Sequence, residues 1–381
     1  MINVKNSTRT KHGMVYINFL WKLLLRKVKK KNYLVRALDL QIMISYFLFM
    51  IKKLLIIILF ILFTKISIGS ELKLQILKNK DSVCNDGKNA NYWIANQNSK
   101  KWLIHLPGGG GAWNEKSFID RNKYKKESIN KSKNYSEPIK SHSALGSMLF
   151  EQGYNVIKVH YCSSDMYAGN HTNKIEGKNV PFKGRKIIEE IFSIHQKDLN
   201  SATDVIVAGQ SAGTYGVVLN LDLWNSLPNT RYILDAAWRD SYQLSIQGDA
   251  PSDEWVSFTL GEMPEHCNGN FYQNCNIRAS TLNRFKIKDA FIIFNFGDPY
   301  NLAKEANQKE PFFKSIKKDM EYFSGGFAVD APKYKLEGAI KWGHGLLGQK
   351  EYFEHKVEGT SLSYLLNEWV NETNDPVFIA Y

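Results

Sequence analysis

The sequence predicts an α/β fold in which a mostly parallel central sheet is flanked by helices. Two observations predict it. From residue 71 onward, short apolar and β-branched runs alternate with longer helical or polar stretches, the pattern of strands connected by helices. The chain of 381 residues, 44% of them hydrophobic, also has ample material for a core. This composition excludes a disordered chain, a collagen-like repeat and a disulfide-stapled miniprotein.

The predicted strands follow one another along the chain, and a helix over residues 212–223 follows the third of them. Two insertions, over residues 114–140 and 238–286, interrupt the pattern and are expected to form lid-like excursions near the carboxyl edge of the sheet. The strands are predicted at Trp102–Leu106, Asn155–Tyr161, Asp204–Ala208, Tyr232–Asp235, Ala290–Phe296 and Tyr334–Lys341.

The net charge of +13 is concentrated at the start of the chain. Residues 1–69 contain thirteen basic side chains and one acid, Asp39, which gives +12 and leaves +1 for residues 70–381. Residues 70–381 are nearly neutral, so they lack the excess of positive charge that attracts the phosphate backbone of nucleic acids. The basic charge therefore does not indicate a nucleic-acid partner.

The same leader contains two apolar runs, Ile42–Ile51 and Leu54–Phe63, separated by two lysines. Lysines near the middle of a bilayer are costly, which argues against one transmembrane helix across both runs. Residues 50–69 instead have the features of a signal peptide, with small residues at the expected cleavage site before Ser70. An uncleaved signal anchor is the alternative. We expect an N-terminal extension at 1–49, a signal at 50–69, a single catalytic domain at 70–381, and a secreted, periplasmic or cell-surface location.

The main chemical signal is the sequence GQSAG at residues 209–213, placed between a predicted strand and a predicted helix. A nucleophile elbow needs small residues two positions before and after the serine, because the turn is sharp and neighbouring chains pass close to it. The helix that follows directs its N-terminal amides toward a developing oxyanion. This context predicts that Ser211 is a nucleophile.

A serine nucleophile requires a histidine base and a carboxylate, which follow it in the order Ser, acid, His. Of the three histidines after Ser211, His344 has glycine on both sides and comes after the last predicted strand. Asp298 follows the strand Ala290–Phe296 and is the favoured acid. Asp235 has a similar local context and is the competing choice.

A second glycine-rich segment, PGGGGAW at residues 107–113, follows the strand Trp102–Leu106. Exposed backbone amides in such a run suit an oxyanion hole or a phosphate site. The phosphate motifs are incomplete here, since no Gly-Lys-Ser/Thr follows. We expect two of Gly109, Gly110 and Gly111 to donate to the oxyanion together with the amide of Ala212.

The four cysteines are consistent with an oxidising compartment. Cys267 and Cys275 lie eight residues apart and are expected to close a small ring, and Cys84 and Cys162 are expected to pair across the fold. A zinc site formed by His266, Cys267 and Cys275 is the alternative, although a clear fourth ligand is missing from the sequence.

These segments together resemble the pectin acetylesterase and Notum family of carboxylesterases. The matching stretches occur in family order over nearly all of residues 80–370. They include CNDG at 84–87, WLIHLPGGGGAW at 102–113, YCSSD at 161–165, AGQSAGTYGVVLNLD at 208–222, the Asp298 strand end, His344 and GTSL at 359–362. The resemblance implies an α/β-hydrolase-like fold, a Ser211–Asp298–His344 triad and no metal or organic cofactor.

The resemblance implies a serine carboxylic-ester hydrolase that acts on an acylated carbohydrate or a lipidated substrate. Removal of O-acetyl groups from a polysaccharide is favoured, because Trp113, Tyr167, Tyr215 and Trp238 could provide stacking surfaces for sugar rings. Core packing of the same aromatic residues is an equal alternative. Three further possibilities remain: a Notum-like esterase for fatty acyl groups, an acyltransferase, and a catalytically silent binding protein for glycan or lipid.

Overall fold

The computed structural model describes residues 43–54, 72–124, 143–238, 255–267, 275, 278–296, 298, 306–329, 344–348, 350–372 and 376–380. The chain divides into two compact units, Met1–Gly69 and Ser70–Tyr381. In the first unit, residues 43–54 are helical. Among the described helices, none has the length and hydropathy needed to cross a membrane. The expected cleavage site lies outside the described residues.

The second unit is built on a nine-stranded sheet. Its strands are β1 (Lys73–Ile76), β2 (Asn91–Ala95), β3 (Lys101–Leu106), β4 (Asn155–Val159), β7 (Asp204–Gln210), β8 (Thr230–Asp235), β9 (Ala290–Asn295), β10 (Gly325–Val329) and β13 (Val377–Ala380). They lie in the order β1-β2-β4-β3-β7-β8-β9-β10-β13. Neighbouring strands from β4 to β13 in this order are parallel, and β2 runs antiparallel to both of its neighbours. A mostly parallel sheet is therefore confirmed.

Two short hairpins lie outside this sheet, one formed by β5 (His171–Ile175) and β6 (Lys178–Phe182), the other by β11 (Lys356–Val357) and β12 (Thr360–Ser361). The remaining elements are helical. The α-helices are Glu115–Tyr124, Ala144–Glu151, Gly184–Asn200, Ala212–Leu219, Leu221–Trp224, Arg278–Arg284, Ala306–Tyr322, Lys350–Glu354 and Leu362–Val370. A π-helical turn at Val256–Leu260 and a 3-10 turn at Glu265–Cys267 complete the described set.

Both faces of the sheet are buried. Along β7, Val205 and Val207 pack into one hydrophobic cluster, whereas Ile206 and Ala208 pack into another. Successive side chains of a strand point to opposite faces, so a strand covered on both sides must be apolar at every position. This explains the continuous apolar runs that predicted the sheet.

The structure forms the first five predicted strands, with ends shifted by at most two residues, while the sixth, at 334–341, lies outside the described residues. The predicted helix over 212–223 divides at Asn220, whose side chain donates to the carbonyls of Gly216 and Tyr167. The first insertion begins with the helix Glu115–Tyr124, and residues 125–142 lie outside the described residues.

Candidate active site

Ser211 lies in the turn between β7 and the helix Ala212–Leu219, with φ of 54°. A non-glycine residue in this left-handed region is strained, and its surroundings must hold it there. Its N–H donates to the carbonyl of Asp235 at 2.8 Å. A Cβ on Gly209 would lie 2.6 Å from the Cα of Thr214, and one on Gly213 would overlap the carbonyl of Leu106. These close approaches explain why both positions of the motif are occupied by glycine.

The three residues of the expected triad come together at the carboxyl edge of the sheet. The Nε2 atom of His344 lies 2.7 Å from the Oγ atom of Ser211, and its Nδ1 atom hydrogen-bonds to the carboxylate of Asp298. Asp298 follows β9 and is 4% exposed. Because β7, β8 and β9 are adjacent and parallel, Ser211 and Asp298 leave the sheet at the same edge.

Asp235 occupies the end of β8, between the other two strand ends, but it has a different contact. Its Oδ2 atom accepts a hydrogen bond of 2.9 Å from the N–H of Leu347, three residues beyond His344. Burial raises the pKa of this carboxyl to about 7, and the nearby His344 acts in the opposite direction. The structure therefore favours Asp298 as the partner of the histidine. Asp235 anchors the segment that carries His344.

The glycine loop, Gly108–Gly111, follows β3 and passes directly beside the candidate nucleophile. A Cβ on Gly108 would lie 2.9 Å from the Cβ of Ser211. At the end of the loop, the N–H of Ala112 already donates to the carbonyl of Ser164 at 2.9 Å. The segments that flank Ser211 therefore contain the expected oxyanion donors, which are amides of Gly109, Gly110, Gly111 and Ala212.

Sequence reasoning missed the structural role of residues 161–168, which pack behind the glycine loop and are called the brace below. Asp165 is its buried centre. Its carboxylate accepts hydrogen bonds from the Ser163 hydroxyl at 2.5 Å and the Gly184 N–H at 2.7 Å. Burial raises the pKa of Asp165 to about 7 despite these hydrogen bonds, which act in the opposite direction. The YCSSD stretch was the available sequence signal.

The four aromatic residues considered as sugar platforms have different environments. Trp113 directly follows the glycine loop and Ala112, is 45% exposed, and has its ring centroid 5.9 Å from that of Trp255. Tyr215 is half-buried and packs against the core. Trp238 and Tyr167 are each 1% exposed, and the Nε1 atom of Trp238 donates to Asp319. The expectation of stacking surfaces at Trp238 and Tyr167 is corrected: burial leaves neither ring face open to a sugar.

The structure pairs the four cysteines as Cys84–Cys162 and Cys267–Cys275. His266 lies close to the second disulfide, but its Nε2 atom is 3.0 Å from the carbonyl of Val218. Zinc binding by cysteine requires thiolates, and disulfide sulfurs cannot supply them. The alternative zinc hypothesis therefore does not fit this arrangement.

Residues 67–237 match the family model of pectinacetylesterase. Over these residues the chain is similar to the pectin acetylesterase and Notum family. Its similarity to relatives extends beyond the family model. Palmitoleoyl-protein carboxylesterase NOTUM of Homo sapiens is 30% identical over 230 residues, and notum2 of Xenopus laevis is 29% identical over 225 residues. The Notum of Drosophila melanogaster is 23% identical in an alignment 346 residues long, and this alignment covers 79% of the chain.

The human and Xenopus alignments cover 54% and 53% of this chain, respectively, and 46% of each relative. The chain thus spans about half the length of the relatives that it matches. In three dimensions it resembles the solved structure of the Wnt deacylase Notum from Drosophila, with a TM-score of 0.62 and 20% identity. That similarity covers 81% of this chain and 96% of the other. It establishes the fold of the family, an α/β-hydrolase-like sheet flanked by helices.

Proposed function

We propose that the protein is a serine carboxylic-ester hydrolase. The observation that carries this proposal is the continuous hydrogen-bonded series from the Ser211 hydroxyl through both nitrogens of His344 to the Asp298 carboxylate. It lies beside a glycine loop and at a helix N-terminus. Similarity to the pectinacetylesterase family model and to Notum carboxylesterases supports the same reaction.

In the proposed mechanism, Ser211 attacks the ester carbonyl while Nε2 of His344 takes the hydroxyl proton. Asp298 holds the imidazole by accepting from Nδ1–H and stabilises the imidazolium that forms. Amides of the glycine loop and of Ala212 stabilise the negative oxygen of the tetrahedral intermediate. His344 then gives the proton to the leaving alcohol, and an acyl-serine remains.

Water completes the reaction by the same steps in reverse. His344 removes a proton from the water, the resulting oxygen attacks the acyl-serine, and the proton returns to the Oγ atom of Ser211. The products are a carboxylic acid and an alcohol. These steps use side chains and backbone amides of this chain alone.

The acyl group proposed first is acetyl on a polysaccharide, supported by the pectinacetylesterase family model and by the exposed Trp113 ring next to the loop. A fatty acyl group is the second candidate, because the relatives compared above are palmitoleoyl-protein carboxylesterases. A secreted or cell-surface location is part of the proposal and follows from the signal-like residues 50–69 and the two disulfides.

Hydrolysis of p-nitrophenyl esters with acyl chains from C2 to C16 tests both parts of the proposal. Turnover that disappears in Ser211→Ala supports the esterase. A rate that falls steeply by C6 supports a deacetylase, whereas a maximum at C8 or longer supports a fatty-acyl esterase. Absence of Ser211-dependent turnover at every length would favour a binding protein. Faster release of p-nitrophenol in the presence of added alcohols, with formation of new esters, would indicate an acyltransferase.

A further inference from the structure

The glycine loop cannot fix its own conformation. Four consecutive glycines have no side chains to pack, and glycine readily adopts several backbone conformations, as Gly110 does with φ of +72°. An oxyanion hole nevertheless requires amides that are oriented before the reaction begins. The orientation of this loop must therefore be imposed by neighbouring residues.

Two tyrosine hydroxyls of the brace bind the loop segment through its carbonyl groups. The hydroxyl of Tyr161 donates to the carbonyl of Gly110 at 2.7 Å, and the hydroxyl of Tyr167 donates to the carbonyl of Pro107 at 2.8 Å. Both tyrosines are buried, and their rings stack with centroids 4.4 Å apart. One carbonyl just before the loop and one within it are thus directed toward the buried tyrosines.

This arrangement determines the direction of the amides. In a planar trans peptide, the carbonyl of one residue and the N–H of the next point in opposite directions. With the Gly110 carbonyl directed at Tyr161, the N–H of Gly111 points away from that hydroxyl and from the core. A flip of this peptide would reverse both groups, and a carbonyl oxygen would then face the outer side of the loop.

The brace is itself well fixed. The hydroxyl of Tyr161 also accepts a hydrogen bond of 2.8 Å from the N–H of Met166. The Asn85 side chain donates to the Ser163 carbonyl at 2.9 Å and accepts from the Ser164 hydroxyl at 2.7 Å. Ser164, Met166 and Tyr167 all have positive φ, a strained conformation that persists where surrounding contacts over-determine it.

We propose that Tyr161 is a positioning residue of the oxyanion hole: its hydroxyl holds the Gly110 carbonyl so that the loop presents amides to the reacting ester. The proposal rests on the proposed esterase function. Tyr161 touches no reacting atom and acts through the loop. Tyr167 supports the same loop at Pro107.

The variant Tyr161→Phe tests this role, with Tyr92→Phe as the matched control. Each substitution removes one buried tyrosine hydroxyl, and the Tyr92 hydroxyl contacts Nε2 of His195 instead of the loop. Turnover of p-nitrophenyl acetate is measured per active site, after titration of the active fraction with a fluorophosphonate. The inhibition constant of phenylboronic acid, which forms a tetrahedral adduct on a nucleophilic serine, is measured in parallel.

We expect Tyr161→Phe to lower kcat by roughly 10-fold to 100-fold, below the range of about 10²–10³ for deletion of an oxyanion-hole donor. The boronate inhibition constant should rise by a comparable factor, whereas KM should change by less than about 3-fold, since ground-state binding is retained. Tyr92→Phe should preserve kcat and boronate affinity even if its melting temperature falls.

Wild-type kcat and boronate affinity in Tyr161→Phe would overturn the positioning role. Equal losses in Tyr92→Phe would also overturn it, because a general effect of removing a buried hydroxyl would then explain both variants. A wild-type protein without Ser211-dependent turnover would remove the esterase proposal and this one together. An active wild type with an unchanged Tyr161→Phe variant would remove this one alone.

Discussion

Ser211 and the glycine loop, the nucleophile half of the site, are supported differently from Asp298 and His344, the acid–base half. The nucleophile half is held by backbone contacts between adjacent strands and by the brace, which the Cys84–Cys162 disulfide connects to the rest of the fold. Residues 67–237, which match the family model, contain this entire half.

Within the described residues, the segment that carries His344 contacts residues close to Ser211 and residues of neighbouring elements. Leu347 donates to the side chain of Asp235 and accepts from the N–H of Leu145. Gly345, with φ of +79°, lies against the side chain of Gln210, next to Ser211. In the part of the chain that the structure describes, the strands and the brace hold the nucleophile half, and the contacts of Leu347 and Gly345 align the acid–base half with it. Variants in each half should therefore have different consequences.

The largest effect is expected within the acid–base half, at the acid of the candidate triad. Asp298→Asn should lower kcat by about 10⁴, because the histidine loses the carboxylate that fixes its tautomer and stabilises its charge. Asp235→Asn should keep activity within about 5-fold, since its amide oxygen can still accept from Leu347. The measurement is ester hydrolysis by the two isosteric variants. A reversed order of activity would identify Asp235 as the triad acid.

Removing each disulfide in turn should distinguish loss of support for the nucleophile half from loss of general stability. Cys84 and Cys162 are 78 residues apart, and Cys267 and Cys275 are 8 apart. Chain entropy predicts losses of about 4 and 2 kcal/mol in unfolding free energy when each pair is replaced by serine. Urea denaturation checks these values. The Cys84→Ser, Cys162→Ser variant should also lose kcat, because that bond anchors the brace. Equal kcat losses in both double variants would contradict this distinction.

A methyl group in the glycine loop should displace the nucleophile. In Gly108→Ala the new Cβ would meet the Cβ of Ser211 at 2.9 Å and the carbonyl of Gln210 at 3.0 Å. Misplacement of reacting groups by about 1 Å costs on the order of 10² in rate. Gly153→Ala is the control, because its φ of +86° strains alanine while the added methyl meets open space. Comparable kcat values in the two variants would show that the loop tolerates displacement.

The smallest expected effect is a pH dependence of stability from Asp235. Its folded pKa of about 7 exceeds the usual value of about 4, so the folded state retains a proton that the unfolded state has released between these values. This group's contribution to stability therefore falls as pH rises from about 4 to 7. The unfolding free energy of Asp235→Asn, taken relative to that of the wild type, should therefore be higher at pH 8 than at pH 5 by an amount on the order of 2 kcal/mol.

Urea denaturation at both pH values measures this difference. His344 and Asp298 are titratable neighbours that also influence the pKa of Asp235, in opposite directions. Comparing the two proteins at each pH cancels contributions that the substitution leaves unchanged. A constant difference between wild type and Asp235→Asn from pH 5 to pH 8 would contradict the raised pKa.

Local chemistry made five strands of the sheet and the candidate triad predictable from the sequence. An uninterrupted apolar run identifies a strand buried on both faces, and a serine between small residues at a strand–helix junction identifies the elbow. Parallel strands then bring Asp298 to the same sheet edge. Four strands of the main sheet, β1, β2, β10 and β13, and both hairpins were not predicted. Of these strands, β1 is mostly exposed, and β5 and β6 are rich in polar residues.

The roles of Tyr161 and Asp235 could not be predicted, because they depend on contacts between distant parts of the chain. Tyr161 lies 51 residues from the carbonyl that it binds, and Asp235 lies 112 residues from its partner Leu347. Their local sequences resemble an ordinary strand end in both cases. The sequence left open whether Trp238 stacks on a sugar or packs in the core for the same reason, since its partner Asp319 is 81 residues away.

The most direct test of the esterase proposal is covalent labelling of the protein with a fluorophosphonate, followed by peptide mass spectrometry. The account predicts one adduct, on the peptide that contains Ser211. Labelling should be lost in Ser211→Ala and strongly reduced in His344→Ala, while Tyr92→Phe should label like the wild type. An unlabelled wild-type protein, or labelling that persists in Ser211→Ala, would contradict the assignment of Ser211 as the nucleophile.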